Sequence, residues 1–251
     1  MSDDNILMML GVDYSNYGEF CQKSLGDAFA CISAGGDRES PSLGFKGDLS
    51  HPNEDALLVR RDGSRYLMAV GDSHFGNQAS HILMQRLAGA PFPANKAELI
   101  QTVMEIQEPE LVHGAGSTFV VTMVDKDTGS GFGFSAGDSS LVTLGSEGLV
   151  HHVPHNHRFY YFQQPLSEEE WCRFEYRLSP GDVVLLFTDG VNECHYRNPE
   201  TSIQDSHIRE LWERLDGDVE RFTALLAQLA LDGVAGHPGG QDNIALVGLP
   251  V

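Results

Sequence analysis

The sequence predicts an α+β fold, and two observations carry that prediction. Apolar residues hold one period over long blocks: strand-like from Ala56 to Val70, helical from Ala79 to Ile106, strand-like again from Ser117 to Phe187, and helical from about 203 to 232. A doubly wound parallel sheet would instead alternate single strands with single helices. Neither an internal repeat nor a low-complexity linker interrupts the blocks.

In order, residues 1–26 read as a short helix and a Gly/Tyr-rich connection, and Ala28 to Ser33 as a strand. Gly35 to Pro41 and Gly44 to Pro52 have the composition of loops. Ala56 to Arg60 and Tyr66 to Val70 flank Asp62-Gly63, a hairpin turn signal. Ala79, Ile82, Leu83 and Leu87 recur at helical spacing until Gly89 and Pro91. A second helical set, Ala97, Leu99, Ile100, Val103, Met104 and Ile106, stops at Pro109. Phe119 to Val124, Gly131 to Ala136, Leu141 to Leu144 and Leu149 to Val153 then read as a meander.

Residues 154–172 are irregular and polar. Phe174 to Leu178 alternates, whereas Val183 to Phe187 is apolar throughout and reads as a strand covered on both faces. Helices at about 203–215 and 218–232 carry apolar stripes (Ile208, Leu211, Trp212, Leu215; Phe222, Leu225, Leu226, Leu229) suited to covering a sheet. Ile244 to Leu249 is the last strand.

Composition narrows the function. Hydrophobic residues at 41% and aromatics at 9% fit an ordered chain of 251 residues, long enough for one or two domains. With 36 acids against 16 Lys and Arg, the net charge is −20, which repels phosphate backbones and anionic lipid. Nucleic-acid and membrane binding are therefore disfavoured. The acidic N-terminus and the lack of any run near about 18 apolar residues point to a cytoplasmic chain. Cys21, Cys31, Cys172 and Cys194 form no CxxC pair and read as inert, reduced thiols.

Chemistry gathers where strands begin and end. Met68 to Val70 leads into Gly71-Asp72-Ser73-His74-Phe75-Gly76, and Asn53-Glu54-Asp55 precedes the Ala56 strand. Asp138 follows Gly137, Thr188-Asp189-Gly190 follows the Val183 strand with Glu193 beyond it, and Asp242-Asn243 precedes the last strand. An Asp beside a Gly is ordinary turn chemistry when taken singly. Several acids at strand ends, however, can meet at one rim of a sheet. Two carboxylates about 4 Å apart repel by roughly 1 kcal/mol in water and about 4 kcal/mol at an effective dielectric of 20. Without a compensating cation such a cluster raises its own pKa values and partly neutralises, and oxygen-only donors suit the hard ions Mg²⁺ and Mn²⁺.

These motifs, with Gly116-Ser117-Thr118 and Gly137-Asp138-Ser139 in the same order, resemble the metal-dependent protein phosphatases of the type-2C (PPM) family from about residue 45 onward. The resemblance implies a four-layer α-β-β-α sandwich of two antiparallel sheets flanked by helices, in a single domain spanning 1–251. It also implies a centre of two Mn²⁺ or Mg²⁺ ions. Asp72 would bridge both, beside the backbone carbonyl of Ser73. Glu54 would serve one ion, and Asp189 and Asp242 the other. Asp138 and Glu193 would offer a third site. Asp55, Asn243 and Thr118 would support these ligands. A water between the ions would lose its proton and attack phosphorus in line, while His74 would protonate the leaving serine or threonine oxygen. The partner would be a phosphorylated protein, with a monomer as the default state.

Two departures stand out. Position 73, usually glycine in that family, is Ser73, which raises the question of backbone strain. The arginine common four residues before the glutamate is replaced by Ser50, so bidentate phosphate binding is lost. Lys46, His51 or Arg38 is a candidate replacement, and small phosphate esters are expected to bind weakly. A catalytically weak regulatory module on the same fold is the alternative. His151, His152, His155 and His157 lack the helical i, i+4 placement of a zinc site and read as a solvated loop. A serine hydrolase using Ser73 is disfavoured because the nucleophile-elbow glycines are absent.

Overall fold

Successive side chains of a strand point to opposite faces, so a strand apolar at every position needs cover on both sides. The computed structural model, which describes residues 5–36, 39–106, 116–153 and 171–251, supplies that cover with two sheets and helices outside them. In chain order the strands are β1 (Ile6–Leu10), β2 (Phe20–Leu25), β3 (Ala28–Ser33), β4 (Asp55–Asp62), β5 (Arg65–His74), β6 (Gly116–Asp125), β7 (Ser130–Ala136), β8 (Ser140–Gly145), β9 (Gly148–His151), β10 (Cys172–Arg177), β11 (Val183–Phe187) and β12 (Ile244–Pro250). The helices are α1 (Gln78–Gly89), α2 (Lys96–Met104), α3 (Asp189–Asn192), α4 (Asp205–Leu215) and α5 (Val219–Asp232).

The strands form two six-stranded antiparallel sheets, ordered β1-β4-β5-β6-β7-β10 and β2-β3-β12-β11-β8-β9. Alternation decides which layer each residue joins. Leu57 and Val59 of β4, Val184 and Leu186 of β11, and Ala245 and Val247 of β12 meet between the sheets. Ala56, Leu58, Leu67 and Ala69 face Leu83, Met84 and Leu87 of α1 and Leu99 and Val103 of α2. On the other side, Val183, Leu185 and Leu246 face Leu211 of α4 and Phe222 and Leu226 of α5. The expected four-layer α-β-β-α sandwich is therefore present. No described helix is long and apolar enough to cross a membrane.

Three sequence expectations need correction. Phe20–Leu25, expected as part of a connection, forms strand β2, paired with β3 from Phe20↔Ser33 to Leu25↔Ala28. Residues 6–10 form strand β1 rather than a helix, because pairing with β4 from Ile6↔Arg60 to Leu10↔Ala56 completes a sheet edge. The meander also divides. β6 and β7 pair in one sheet, while β8 and β9 lie in the other. The chain crosses at Gly137, whose φ of +98° suits glycine and where an added Cβ would meet Thr118 Cβ at 2.4 Å. The segment 154–170 lies outside the described residues, and with it His155 and His157.

Candidate metal centre

β5 and β11 finish, and β4, β6 and β12 begin, at one end of the sandwich. That shared end gathers the acids. Antiparallel register sets Asp55 opposite Asp72, and Asp72 opposite Thr118. The two sheets are tied there by Thr188, whose Oγ1 donates to Asp55 Oδ2 at 2.6 Å and accepts the Ala245 N–H at 2.9 Å. Asn243 is a second tie. Its Oδ1 accepts the Glu54 N–H at 2.8 Å, and its Nδ2 donates to the Ala34 carbonyl at 3.1 Å.

Ser73 sits inside β5 and does not take a left-handed backbone. Its Oγ accepts the Ser80 N–H at 2.6 Å, satisfying a donor in the first turn of α1 where Asn77 supplies no side-chain cap. The backbone demand falls instead on Phe75 and Gly76, with φ of +63° and +124°. Phe75 is 60% exposed at this turn. Gly47 packs onto the same turn so closely that a Cβ would lie 2.4 Å from the Phe75 carbonyl carbon.

Glu54, Asp55 and Asp72 are buried, and their titration reflects it. Burial raises the Asp72 carboxyl well above the ordinary range, and Asp189 and Asp55 add to the shift. Asp189 is raised by burial and then by Asp242, Asp138, Asp55 and Glu193. Asp55 is pushed up to about 7 by burial, against the Thr188 hydroxyl and Lys46. Glu54 is raised by burial, opposed by Lys46 and by the N–H groups of Gly47 and Gly76; Gly47 N–H reaches Oε1 at 2.8 Å. Shifts of this kind gather at functional sites.

The cation among them belongs to the chain. Lys46 Nζ lies 3.0 Å from Asp242 Oδ1, 2.8 Å from Asn243 Oδ1 and 3.7 Å from Glu54 Oε2, with its side chain 6% exposed. Burial alone would favour loss of its proton, but Asp242, Asp72, Glu54 and Asp55 outweigh burial and hold it charged. Among the described residues no three His, Cys, Asp or Glu side chains converge tightly enough to cage one ion. The acids are thus close enough to repel yet not drawn together. An oxygen-only donor set that already holds an ammonium fits a hard cation.

The other expected residues fall around this cluster. His74 ends β5 with Nδ1 3.7 Å from Asp72 Oδ2; burial and Lys46 lower its pKa, while Asp242 and Asp138 raise it. Thr118 Oγ1 is 2.8 Å from Ser139 Oγ. Asp138 follows β7, and Glu193 follows α3 with its N–H on the Asp189 carbonyl at 2.6 Å. Of the phosphate candidates, His51 Nδ1 and the Ser50 hydroxyl engage Asp48, Lys46 faces the acids, and Arg38 lies outside the described residues. His151 meets Asp205 at 2.9 Å, whereas His152 meets Thr143 at 2.9 Å. Thr188 and Gly47 received no role from the sequence. Thr188 had one signal, a hydroxyl directly before Asp189 at the end of a buried strand.

Residues 76–251 match the family model described as stage II sporulation protein E (SpoIIE). Asp189 and Asp242 lie within the matched span, and Glu54 and Asp72 precede it. No curated protein matches the chain. The solved structures similar in fold include these three. The Mycobacterium tuberculosis serine/threonine phosphatase PstP/Ppp is 20% identical at a TM-score of 0.65, covering 89% of this chain and 97% of its own. The catalytic domain of PstP in complex with two manganese ions is 19% identical at 0.65, covering 92% and 99%. RsbX in complex with magnesium is 12% identical at 0.61, covering 93% and 100%.

Proposed function

The chain belongs to the stage II sporulation protein E family, which is PP2C-like, and on that premise we propose that it removes phosphate from phosphoserine and phosphothreonine of protein substrates with the help of Mn²⁺ or Mg²⁺. The observation that supports this reading is the set Glu54, Asp55, Asp72, Asp189 and Asp242 at one sandwich end, where burial and mutual repulsion raise the Asp72 and Asp189 carboxyls and a cation would relieve both effects.

Two ions are proposed. Asp72 would serve both, beside the Ser73 carbonyl, Glu54 would serve one, and Asp189 and Asp242 the other; Asp138 and Glu193 would offer a third site. When bound, the ions acidify water and neutralise phosphoryl oxygens. The chain's own part is positioning. Asp55 is held by Thr188, Glu54 by Gly47 and Asn243, and Thr118 stands opposite Asp72. His74 turns Nδ1 toward Asp72, which leaves Nε2 to give a proton to the departing serine or threonine oxygen. With Ser50 turned to Asp48, small phosphate esters bind weakly and the surrounding protein substrate supplies affinity. A single domain is also proposed, supported by the pairing of β3 with β12 from opposite ends of the chain.

The test is hydrolysis of a phosphothreonine peptide with Mn²⁺, with Mg²⁺ and with chelator, alongside Asp189→Asn. Turnover is expected only with metal, and the variant is expected to lose more than the roughly 10–100-fold typical of a supporting residue. Equal turnover in chelator would sink the reading.

A further inference from the structure

We propose that Lys46 is a tethered counter-cation that a divalent ion must displace, so that metal loading of the site is gated by this one side chain. The inference rests on the metal-site reading above and goes beyond it, because it assigns the metal-free state its own cation.

Three observations carry it. The ammonium is seated on oxygens of residues assigned to both ions, Asp242 Oδ1 at 3.0 Å and Glu54 Oε2 at 3.7 Å, with Asn243 Oδ1 at 2.8 Å as a third leg. An ion coordinated by Asp242 competes with Lys46 for the same carboxylate, whose Oδ1 already takes the ammonium and the Asn243 N–H. The lysine is also delivered by a fixed backbone. The single turn Pro41–Phe45 ends at Lys46, Ser40 Oγ donates to the Gln241 carbonyl beside Asp242, and Gly47 is wedged against the Phe75–Gly76 backbone. With both flanks pinned, the ammonium leaves by rotation of its own side chain, and the turn stays in place.

The third observation is electrostatic balance. A buried carboxylate cluster with no cation is costly, and Lys46 pairs with two of these acids, Glu54 and Asp242. The lysine therefore keeps the metal-free site together at the expense of metal affinity. A dication brings twice the charge to the same oxygens and wins when its concentration is sufficient. Apparent affinity falls by the fraction of time the lysine vacates the site.

The test reads the lysine directly. Wild-type protein is treated with an amine-acetylating reagent in chelator and again with saturating Mn²⁺, and Lys46 modification is quantified by mass spectrometry. Lys46 is expected to be protected in chelator and at least about tenfold more reactive with Mn²⁺, while exposed Lys96 is unchanged. In parallel, Mn²⁺ binding to wild type and Lys46→Met is measured by electron paramagnetic resonance of free Mn²⁺. The variant is expected to bind at least about tenfold more tightly. If the variant does not fold, the labelling of wild type decides alone. Manganese bound by wild type with Lys46 still protected overturns the gate and leaves the phosphatase reading standing. Manganese bound by neither protein removes the metal site and the gate with it.

Discussion

Thr188 shows how much a single hydroxyl does here. It is fully buried, donates to Asp55 and accepts from Ala245, and so links a carboxylate of one sheet to the backbone of the other. Thr188→Val keeps the shape and removes both bonds, leaving a buried donor and acceptor unpaired. We expect a loss of about 1–3 kcal/mol in chemical denaturation and a roughly 10–100-fold loss of Mn²⁺ affinity. His81 on α1 offers a pH signature. It is 8% exposed, its Nε2 has no hydrogen-bond partner, and burial lowers its pKa from 6.5 to about 4. The unfolded chain takes up that proton below about 6.5 and the folded chain does not, so stability falls as pH drops from 6.5 toward 4. His81→Leu should flatten this part of the stability profile by up to about 3 kcal/mol relative to wild type. An unchanged slope would show that the ring is protonated in the fold. At this scale the acids were legible in the sequence because all but Asp55, which follows Glu54 directly, sit beside Gly or Asn near the edge of an apolar run. The place of Lys46 was not, since its spacing along the chain does not show which way its side chain turns.

Elements were legible in proportion to how fully their neighbours bury them. β3 and β11 match their expected limits residue for residue, being apolar on both faces and paired on both edges. β1 was misread because Ile6–Leu10 lies at a sheet edge, is mostly half-buried, and is rich in Met and Leu, which favour helices locally. β5 extends to His74, so Asp72 and Ser73 belong to the strand itself rather than to a loop after it. That placement explains why serine is accepted at 73: the position is regular strand, and the hydroxyl caps α1. The tight contact lies in the next element, where the loop bearing Lys46 meets the turn after β5. In Gly47→Ala the new methyl would meet backbone atoms of Phe75 and Gly76 at 2.4–2.5 Å, and neither can swing aside. We expect about 1–3 kcal/mol of destabilisation from overpacking, together with weaker Mn²⁺ binding as the Gly47 N–H is pushed from Glu54. Calorimetric melting and Mn²⁺ titration of the variant measure the two losses separately. Retained affinity beside lost stability would uncouple this loop from the centre.

At the scale of the molecule, the net charge of −20 and the buried acids make different demands on salt. Exposed charges are screened over a Debye length of about 8 Å at physiological ionic strength, whereas buried ones are screened much less. Monovalent salt therefore relieves the surface and leaves the centre strained. A dication that binds only the folded chain adds about 2.7 kcal/mol per site at a hundred times its Kd. For a chain of this length that is a rise in Tm of roughly 5–10 °C. The expected result is a large Tm rise with Mn²⁺ and a small one with sodium chloride at equal ionic strength. Asp189→Asn supplies the sign check. The wild-type carboxyl has its pKa raised on folding, so above the ordinary carboxylate pKa the unfolded chain gains by ionising and the folded chain is destabilised. The amide removes that penalty. In chelator the variant should therefore melt above wild type, and in Mn²⁺ it should melt below, because the bound ion has lost a ligand. Crossing melting temperatures separate a metal centre from a merely acidic surface. If sodium chloride reproduces the Mn²⁺ shift, or the variant is less stable in both conditions, the carboxylates are structural and the centre is not a metal site.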